Sequence, residues 1–103
     1  MKQIIDGKRY DTKTATEIGR DSYGGSSSDF HWWSEGLYRT KSGAYFLAAE
    51  GGALSRYSRA LTENSSCGGS EIRPMTETEA REWCERHDQL ALEGHFPASI
   101  QDA

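Results

Sequence analysis

The sequence predicts an α+β domain: an antiparallel β-sheet, a meander of about four to six short strands, with a short N-terminal helix and a longer C-terminal helix packed on it. Two observations predict this class. Short apolar and aromatic runs alternate with glycine-containing turns through most of the chain, which is typical of antiparallel strands. A clear helix-start signal then follows Pro74. At 103 residues without an evident linker, the chain 1–103 is expected to form one domain.

The first predicted element is a β-hairpin. Lys2 to Ile5 and Lys8 to Asp11 are short strand-like runs on either side of Asp6-Gly7. Asp-Gly tolerates the two positive φ angles of a type I′ turn, so a tight hairpin is expected.

A short helix is expected after the hairpin. Thr12 or Thr14 is suited to cap it, Ile18 lies on one face, and Gly19 would end it. The glycine- and serine-rich stretch 23–28 that follows is predicted to be a loop.

A meander of strands is expected from Phe30 onward. Aromatic and β-branched residues flank the turn Lys41-Ser42-Gly43, a pattern typical of a hairpin. Gly51-Gly52 would end one strand, and the next segment is expected to pair back on it. The expected strands are Phe30–Trp33, Leu37–Thr40, Ala44–Ala48, Ala53–Ser58 and, after a loop over 64–70, Glu71–Arg73.

The long helix after Pro74 is the best-defined prediction. Thr76 and Glu79 form a capping box, and Met75 and Ala80 have the spacing of a hydrophobic staple. Trp83 is expected to be the main apolar anchor of this helix. Cys84 and His87 share its face, and a further short helix is expected through Leu90 and Leu92 toward Phe96.

Charge and composition exclude several classes of protein. The chain carries 16 acidic and 12 basic residues, a net charge of -4, and 77–103 is its acidic part. No run approaches the 18 or so apolar residues of a membrane span, and the start does not resemble a secretory signal. A cytoplasmic protein with two reduced cysteines and no membrane partner is expected.

Metal and catalytic motifs are weak. Cys84-x-x-His87 is the only closely spaced ligand pair, whereas a structural zinc site usually has two such pairs. Cys67 lies in a glycine-serine loop without an evident activating partner, and neither a Gly-x-Ser-x-Gly elbow nor a P-loop is present. No metal, no cofactor and no catalytic residue are therefore predicted, and the chain is not expected to be an enzyme.

The acidic face of the long helix is the first candidate binding surface. One interpretation is that its carboxylates form only a solvated face, favoured near the helix start by the helix dipole. The alternative is that they imitate a phosphate backbone and occupy a basic nucleic-acid channel. The residues concerned are Glu77, Glu79, Glu82, Glu85 and Asp88.

Adjacent tryptophans form the second candidate. In a strand, Trp32 and Trp33 point to opposite faces, so one can enter the core while the other is an exposed interface anchor. Asp29, His31 and Glu35 would form its polar rim. Burial of both tryptophans between sheet and helix is the competing interpretation.

Single-stranded nucleic acid is the alternative partner. Basic residues lie in or near strands that also carry tyrosines, and such strands can stack bases while neutralising phosphates. The net negative charge opposes this interpretation. The residues concerned are Arg39, Lys41, Arg56, Arg59 and Arg73 with Tyr38, Tyr45 and Tyr57.

Several stretches together resemble a family of small proteins encoded in phages, prophages and mobile elements. They are Gly7-Lys8-Arg9-Tyr10-Asp11-Thr12, Leu37 to Gly43 with Tyr45-Phe46-Leu47, Glu50-Gly51-Gly52, Pro74-Met75-Thr76, Glu79-Ala80 and Trp83. In size, charge and the mobile-element origin that this resemblance implies, the chain is similar to anti-CRISPR proteins. The resemblance implies an inhibitor, in the cytoplasm of a bacterial host, that binds a Cas effector complex and blocks its nucleic-acid-binding surface. A prophage regulatory module that binds single-stranded nucleic acid through its sheet remains the alternative, and a cysteine-dependent enzyme a third.

Overall fold

Eight antiparallel strands and two α-helices form the described part of the chain, a computed structural model that covers residues 1–24, 30–53, 55–62 and 65–103. This arrangement confirms the α+β class. The strands are β1 Lys2–Ile5, β2 Lys8–Asp11, β3 Thr16–Tyr23, β4 Trp33–Arg39, β5 Tyr45–Gly51, β6 Arg59–Thr62, β7 Ser65–Cys67 and β8 Gly69–Met75. The helices are α1 Glu77–His87 and α2 Gln89–His95, followed by a 3-10 turn at Pro97–Ser99.

A four-stranded sheet with the order β3-β4-β5-β8 organises the domain. Side chains alternate between its two faces, so each face has its own core. The helices cover one face, where Leu37 and Leu47 of the sheet pack with Trp83 and Cys84 of α1 and with Phe96. We call this side the helix face.

The hairpin β1-β2 contributes to the core on the opposite face. Tyr10 meets the ring of Phe46 edge-on at 5.5 Å, and Tyr38 stacks on the same ring at 5.3 Å. The predicted turn is confirmed, since both Asp6 and Gly7 have positive φ angles, 52° and 76°.

The predicted N-terminal helix is wrong. Residues 12–15 form only a turn, and the chain then enters β3, which pairs along its length with β4. Gly19 does not end a helix but lies inside this strand, under the two helices. A Cβ atom there would come within 2.9 Å of the Ala91 Cβ and 3.2 Å of the Trp83 ring. The close approach of α1 and α2 to β3 therefore requires glycine at this position.

The order of the later strands also differs from the simple meander. Residues 30–32 precede β4 instead of forming a strand with Trp33, and β4 continues unbroken from Trp33 to Arg39. Residues 55–58 form turns, and β6 pairs with β7 in a separate hairpin. The position beside β5 is taken by β8, whose Pro74 is tolerated because β8 is an edge strand.

The structure describes only part of each of the two predicted loops. Residues 25–28 of the stretch 23–28 lie outside the described residues, while Tyr23 ends β3. Residue 64 also lies outside them, but most of the stretch that follows is not a loop, because it forms β7 and the start of β8.

The predicted long helix is confirmed with its cap. The Thr76 hydroxyl accepts a hydrogen bond from the Glu79 backbone N–H at 3.1 Å, and the Glu79 carboxylate accepts one from the Thr76 N–H at 2.9 Å. Ala80, Trp83 and Cys84 are its buried residues. Neither helix in the described ranges has the length and apolar character needed to cross a bilayer.

Candidate functional site

The helix face of the sheet changes from apolar to charged along β4. Leu37 packs in the core, and two residues earlier on the same face Glu35 is completely buried, with 0% exposure. The pairing of β3 with β4 places Asp21 directly opposite Glu35. Like charges opposite each other in a sheet are destabilising, so this pair of carboxylates requires compensation.

Three donors surround the Glu35 carboxylate. The indole Nε1–H of Trp83 donates to Oε1 at 2.9 Å, while the Tyr57 hydroxyl donates to Oε2 and Arg56 forms an ion pair with the same oxygen. A buried carboxylate is tolerated only when it is paired and hydrogen-bonded in this way. We call the set Asp21, Glu35, Arg56, Tyr57, Trp83 and His87 the Glu35 cluster.

His87 lies between the two carboxylates at the end of α1. Its Nδ1 is 2.9 Å from Asp21 Oδ2, and its Nε2 is 4.0 Å from Glu35 Oε1. The ring stacks on Trp83 with centroids 5.1 Å apart and meets Trp33 edge-on at 6.2 Å. The imidazole therefore links α1 to both strands.

Two surface cavities meet at Arg56 and His87, which line both of them. One, of about 200 Å³, borders Glu35 and Trp83 and is rimmed by Arg73, Met75, Glu79, Glu82 and Arg86. The other, of about 360 Å³, is lined by Tyr23, His31, Trp33 and Ser55 in addition. Glu35 is therefore buried, while the cluster around it borders surface space on two sides.

Exposed aromatic side chains lie at the same end of the molecule. Tyr23 is 56% exposed and is the cross-strand partner of Trp33, and Phe30 is 62% exposed. We call Tyr23, Phe30, His31, Trp33 and Arg56 the aromatic end. Such a combination of aromatic side chains with arginine is typical of binding hot spots.

The structure describes only part of the predicted tryptophan site. Trp32 and Trp33 are both half-buried, so neither of the two predicted arrangements applies in full. Trp32 lies against Gly52, where a Cβ atom would be 2.7 Å from the indole, and Trp33 lines the larger cavity. His31 is exposed, and Asp29 lies outside the described residues.

Glu35 requires a correction, because it does not form a polar rim. Glu35 lies two residues before Leu37 in β4, so both side chains point to the same, core-facing side of the sheet. There Trp83 and Tyr57 donate hydrogen bonds to the Glu35 carboxylate.

The five predicted acidic residues of the helix region do not form one uniform surface. Glu77, Glu82 and Glu85 are exposed, with Glu82 within 3.9 Å of Arg86. Glu79 belongs to the capping box, and the hydrogen bond from the Thr76 backbone N–H lowers the pKa of its carboxyl. Asp88 caps α2 by accepting from the Ala91 N–H and also accepts from the backbone of β3. Two of the five carboxylates thus have structural roles.

The cysteines and histidines do not converge. Cys84 is buried, and burial together with nearby Asp88 raises the pKa of its thiol to about 11, so it is protonated at neutral pH. His87 turns instead toward Asp21. Within the described ranges, no three or more histidine, cysteine or acidic residues are grouped so that they could hold a metal ion.

The tyrosines predicted to stack nucleic-acid bases have other contacts. Tyr38 is buried against Phe46, Tyr45 packs on Phe96 with centroids 5.6 Å apart, and Tyr57 binds Glu35. Tyr38 and Tyr45 also point to opposite faces of the sheet, one in each core. These three rings therefore do not form a shared stacking surface.

The Glu35 cluster was missed because its bonds join distant parts of the chain. Glu35 lies 22 residues from Tyr57 and 48 from Trp83, and Asp21 lies 66 from His87. One signal was available: alternation along Trp33, Glu35 and Leu37 places the glutamate on the same face as a core leucine. An acidic residue that alternation places on the core-facing side of a strand indicates a buried charge that needs partners.

Comparisons with known proteins give no relative from which a function can be transferred. No protein-family model, no curated protein and no solved structure matches this chain.

Proposed function

We propose that this protein is a non-enzymatic inhibitor that binds another protein through its aromatic end. The proposed partner is a Cas effector complex whose nucleic-acid-binding surface it blocks, as the resemblance to anti-CRISPR proteins implies. One observation carries the binding part: Tyr23 is more than half exposed in a cavity that it lines with Trp33 and Arg56, and Phe30, which precedes His31 of the same cavity in the chain, is also more than half exposed. Aromatic and arginine side chains dominate the energetics of protein interfaces.

The exposed aromatic rings are not needed by either core of the sheet. Neither Tyr23 nor Phe30 belongs to the packed residues of the two faces. Exposed apolar groups gathered at one place are uncommon on proteins that do not bind a partner. Tyr23 also lines a surface cavity of about 360 Å³, which supports a role in recognition.

Acidic charge on the neighbouring helix supports a basic partner surface. Glu77, Glu82 and Glu85 are exposed along α1, and the chain has a net charge of -4. Such a charge distribution speeds encounter with a positively charged surface. A nucleic-acid-binding channel is a surface of this kind.

The geometry around His87 supports a non-enzymatic role. Among the described residues, its Nε2 has the Glu35 carboxylate as its ion-pair partner and not a hydroxyl or thiol. Ser55 lines the same cavity as His87, but its hydroxyl donates to the Gly52 carbonyl at 2.8 Å and accepts from the Tyr57 N–H at 3.1 Å. Nucleophilic catalysis requires a nucleophile bonded to its base, and this serine is instead part of a turn.

Replacement of the two exposed rings tests the site. The variant Tyr23→Ser/Phe30→Ser should bind purified Cas effector complex at least about tenfold more weakly, because hot-spot truncations commonly cost that much or more. Leu90→Ser is the matched control, since Leu90 is 80% exposed on α2. It removes a comparable apolar side chain elsewhere and should bind as the parent does. Affinity is measured by surface capture of the effector.

Charge reversal tests the acidic contribution separately. Glu82→Lys/Glu85→Lys should slow association and reduce its salt dependence, since long-range attraction is screened beyond a Debye length of about 10 Å at 0.1 M salt. Glu79 is left unchanged because it caps α1.

Fluorescence anisotropy with labelled single-stranded oligonucleotides provides the opposing measurement. Tight oligonucleotide binding by the parent, lost in Arg39→Glu/Arg59→Glu, would favour the nucleic-acid alternative. Equal effector binding by the parent and the Tyr23→Ser/Phe30→Ser variant would rule out the aromatic end.

A further inference from the structure

We propose that the Glu35 cluster is a guanidinium-binding site, occupied in this structure by the protein's own Arg56, and that an arginine side chain of the bound partner takes the place of Arg56. The first part stands on the geometry of this chain alone. The second part rests on the proposed function.

The site has the chemical groups that recognise a guanidinium ion. The Glu35 carboxylate supplies the negative charge, and two aromatic rings flank the cation: the Arg56 Cζ lies 5.7 Å from the Trp33 ring centre and 5.2 Å from that of Tyr57. A planar guanidinium both stacks on aromatic faces and donates hydrogen bonds to a carboxylate. A lysine ammonium is a compact point charge and uses only part of this arrangement.

The two ion-pair partners differ sharply in burial. Glu35 is 0% exposed, and Trp83 and Tyr57 hold its carboxylate in place from α1 and from the segment 55–58. The Arg56 side chain is 59% exposed and lies in a turn outside the central sheet. The carboxylate is therefore fixed and the cation is held from the solvent side, as is expected of a preorganised site with an exchangeable occupant.

Surface space leads to this position from two sides. Arg56 lines both the cavity of about 200 Å³ and that of about 360 Å³, and the second also belongs to the aromatic end. A partner docked on the aromatic end would therefore present its side chains next to Arg56, the residue paired with Glu35.

The other charged groups that face the site carry both signs. His87 Nε2 is 4.0 Å from Glu35, with Asp21 on its far side, and the smaller cavity is rimmed by Arg73 and Arg86 as well as Glu79 and Glu82. Removal of Arg56 would leave Glu35 without its ion-pair partner. An unpaired buried carboxylate is strongly unfavourable, so a cation that fits the site would stabilise the protein.

Chemical rescue tests the site without any partner protein. Arg56→Ala should lower the Tm, and millimolar methylguanidinium should restore it with a saturating dose response, since a ligand that binds only the folded state stabilises it by mass action. These concentrations are far below those at which guanidinium denatures proteins. Methylammonium at equal concentration and ionic strength is the matched control and should restore much less. The double variant Arg56→Ala/Glu35→Gln should show no rescue.

Arg56→Met accompanies Arg56→Ala because it keeps the length of the side chain and much of its apolar contact. Folding of either variant only when methylguanidinium is present would also support the site. The site is refuted when methylguanidinium acts no better than methylammonium on both variants, or when both stay unfolded at every concentration.

Effector binding then tests the exchange of arginines. Glu35→Gln should bind the effector about tenfold more weakly than the parent, because the carboxylate that would receive the partner's arginine is gone. Rescue without any effector binding would uphold the site and reject the partner. Effector binding that Glu35→Gln leaves unchanged would reject the exchange while leaving the proposed function intact.

Discussion

The helix face of the sheet has an apolar half and a charged half, and the two are joined by a single strand. Leu37 and Glu35 are two residues apart in β4, point to the same side, and are each 0% exposed. Leu37 packs among apolar side chains with Leu47 and Cys84. Glu35 instead makes directional bonds with Trp83, Tyr57 and Arg56.

The difference between the two halves indicates which of them stabilises the fold. Burial of apolar surface is favourable with any well-fitting neighbour, whereas a buried ion pair loses hydration energy that its attraction only partly restores. Replacement of such pairs by well-packed hydrophobic side chains of similar volume is often neutral or stabilising. The apolar half is therefore expected to supply the stability, and the charged half a specific function.

Trp83 joins the two halves and should give the largest effect. Trp83→Ala empties a core position and removes a donor from Glu35, so it should lower the free energy of unfolding by about 3–5 kcal/mol. Trp83→Phe keeps most of the packing but not the N–H group, and its cost should be smaller, about 1–3 kcal/mol. Urea denaturation followed by circular dichroism measures both. A Trp83→Ala protein as stable as the parent would contradict the orientation of α1.

Leu37 and Glu35 form a matched pair for the next comparison. Leu37→Ala should cost about 2–5 kcal/mol, because it leaves a cavity in the apolar half. Glu35→Gln keeps the shape, an oxygen that accepts from the Trp83 N–H and an amide NH2 that can donate to the Tyr57 hydroxyl oxygen. It also frees the 59%-exposed Arg56 to enter water, so it should cost less than about 1 kcal/mol. Denaturant titrations of both variants decide the point. Equal losses would mean that the charged half is structural, which would weaken the case for a ligand site there.

Local signals explain which elements could be predicted from the sequence. The Asp6-Gly7 turn and the Thr76–Glu79 box each depend on residues a few positions apart, and both are confirmed. The helix expected before Gly19 is wrong because its glycine serves a tertiary contact with Trp83 and Ala91, which no local pattern reveals. Tertiary packing overrides weak local propensity in such cases.

Distant pairing explains the remaining errors. The strand beside β5 is β8, and the hairpin β6-β7 lies between them in the chain, so the nearest segment was not the partner. The Glu35 cluster depends on the same long-range arrangement, because its groups come from β3, β4, the segment 55–58 and α1. Of the aromatic end, the sequence predicted only Trp33 and His31 as parts of one binding site. The fold places Tyr23 and Arg56 in the same cavity, and Phe30 is exposed nearby in the chain.

The smallest expected effect concerns the start of α1, which lies over the apolar half. Thr76→Ala removes the helix cap and should cost about 1 kcal/mol without changing the Glu35 cluster. Its partner Glu79 adds a pH dependence. The Thr76 backbone N–H lowers the pKa of the Glu79 carboxyl, so the stabilisation is fully present above the ordinary glutamate pKa of about 4.3 and is lost as the pH falls through the lowered value. Parent and Glu79→Gln should therefore differ in Tm at pH 7 and converge in acid. A difference that persists after full protonation would show that the carboxylate charge is not what stabilises this end of the helix.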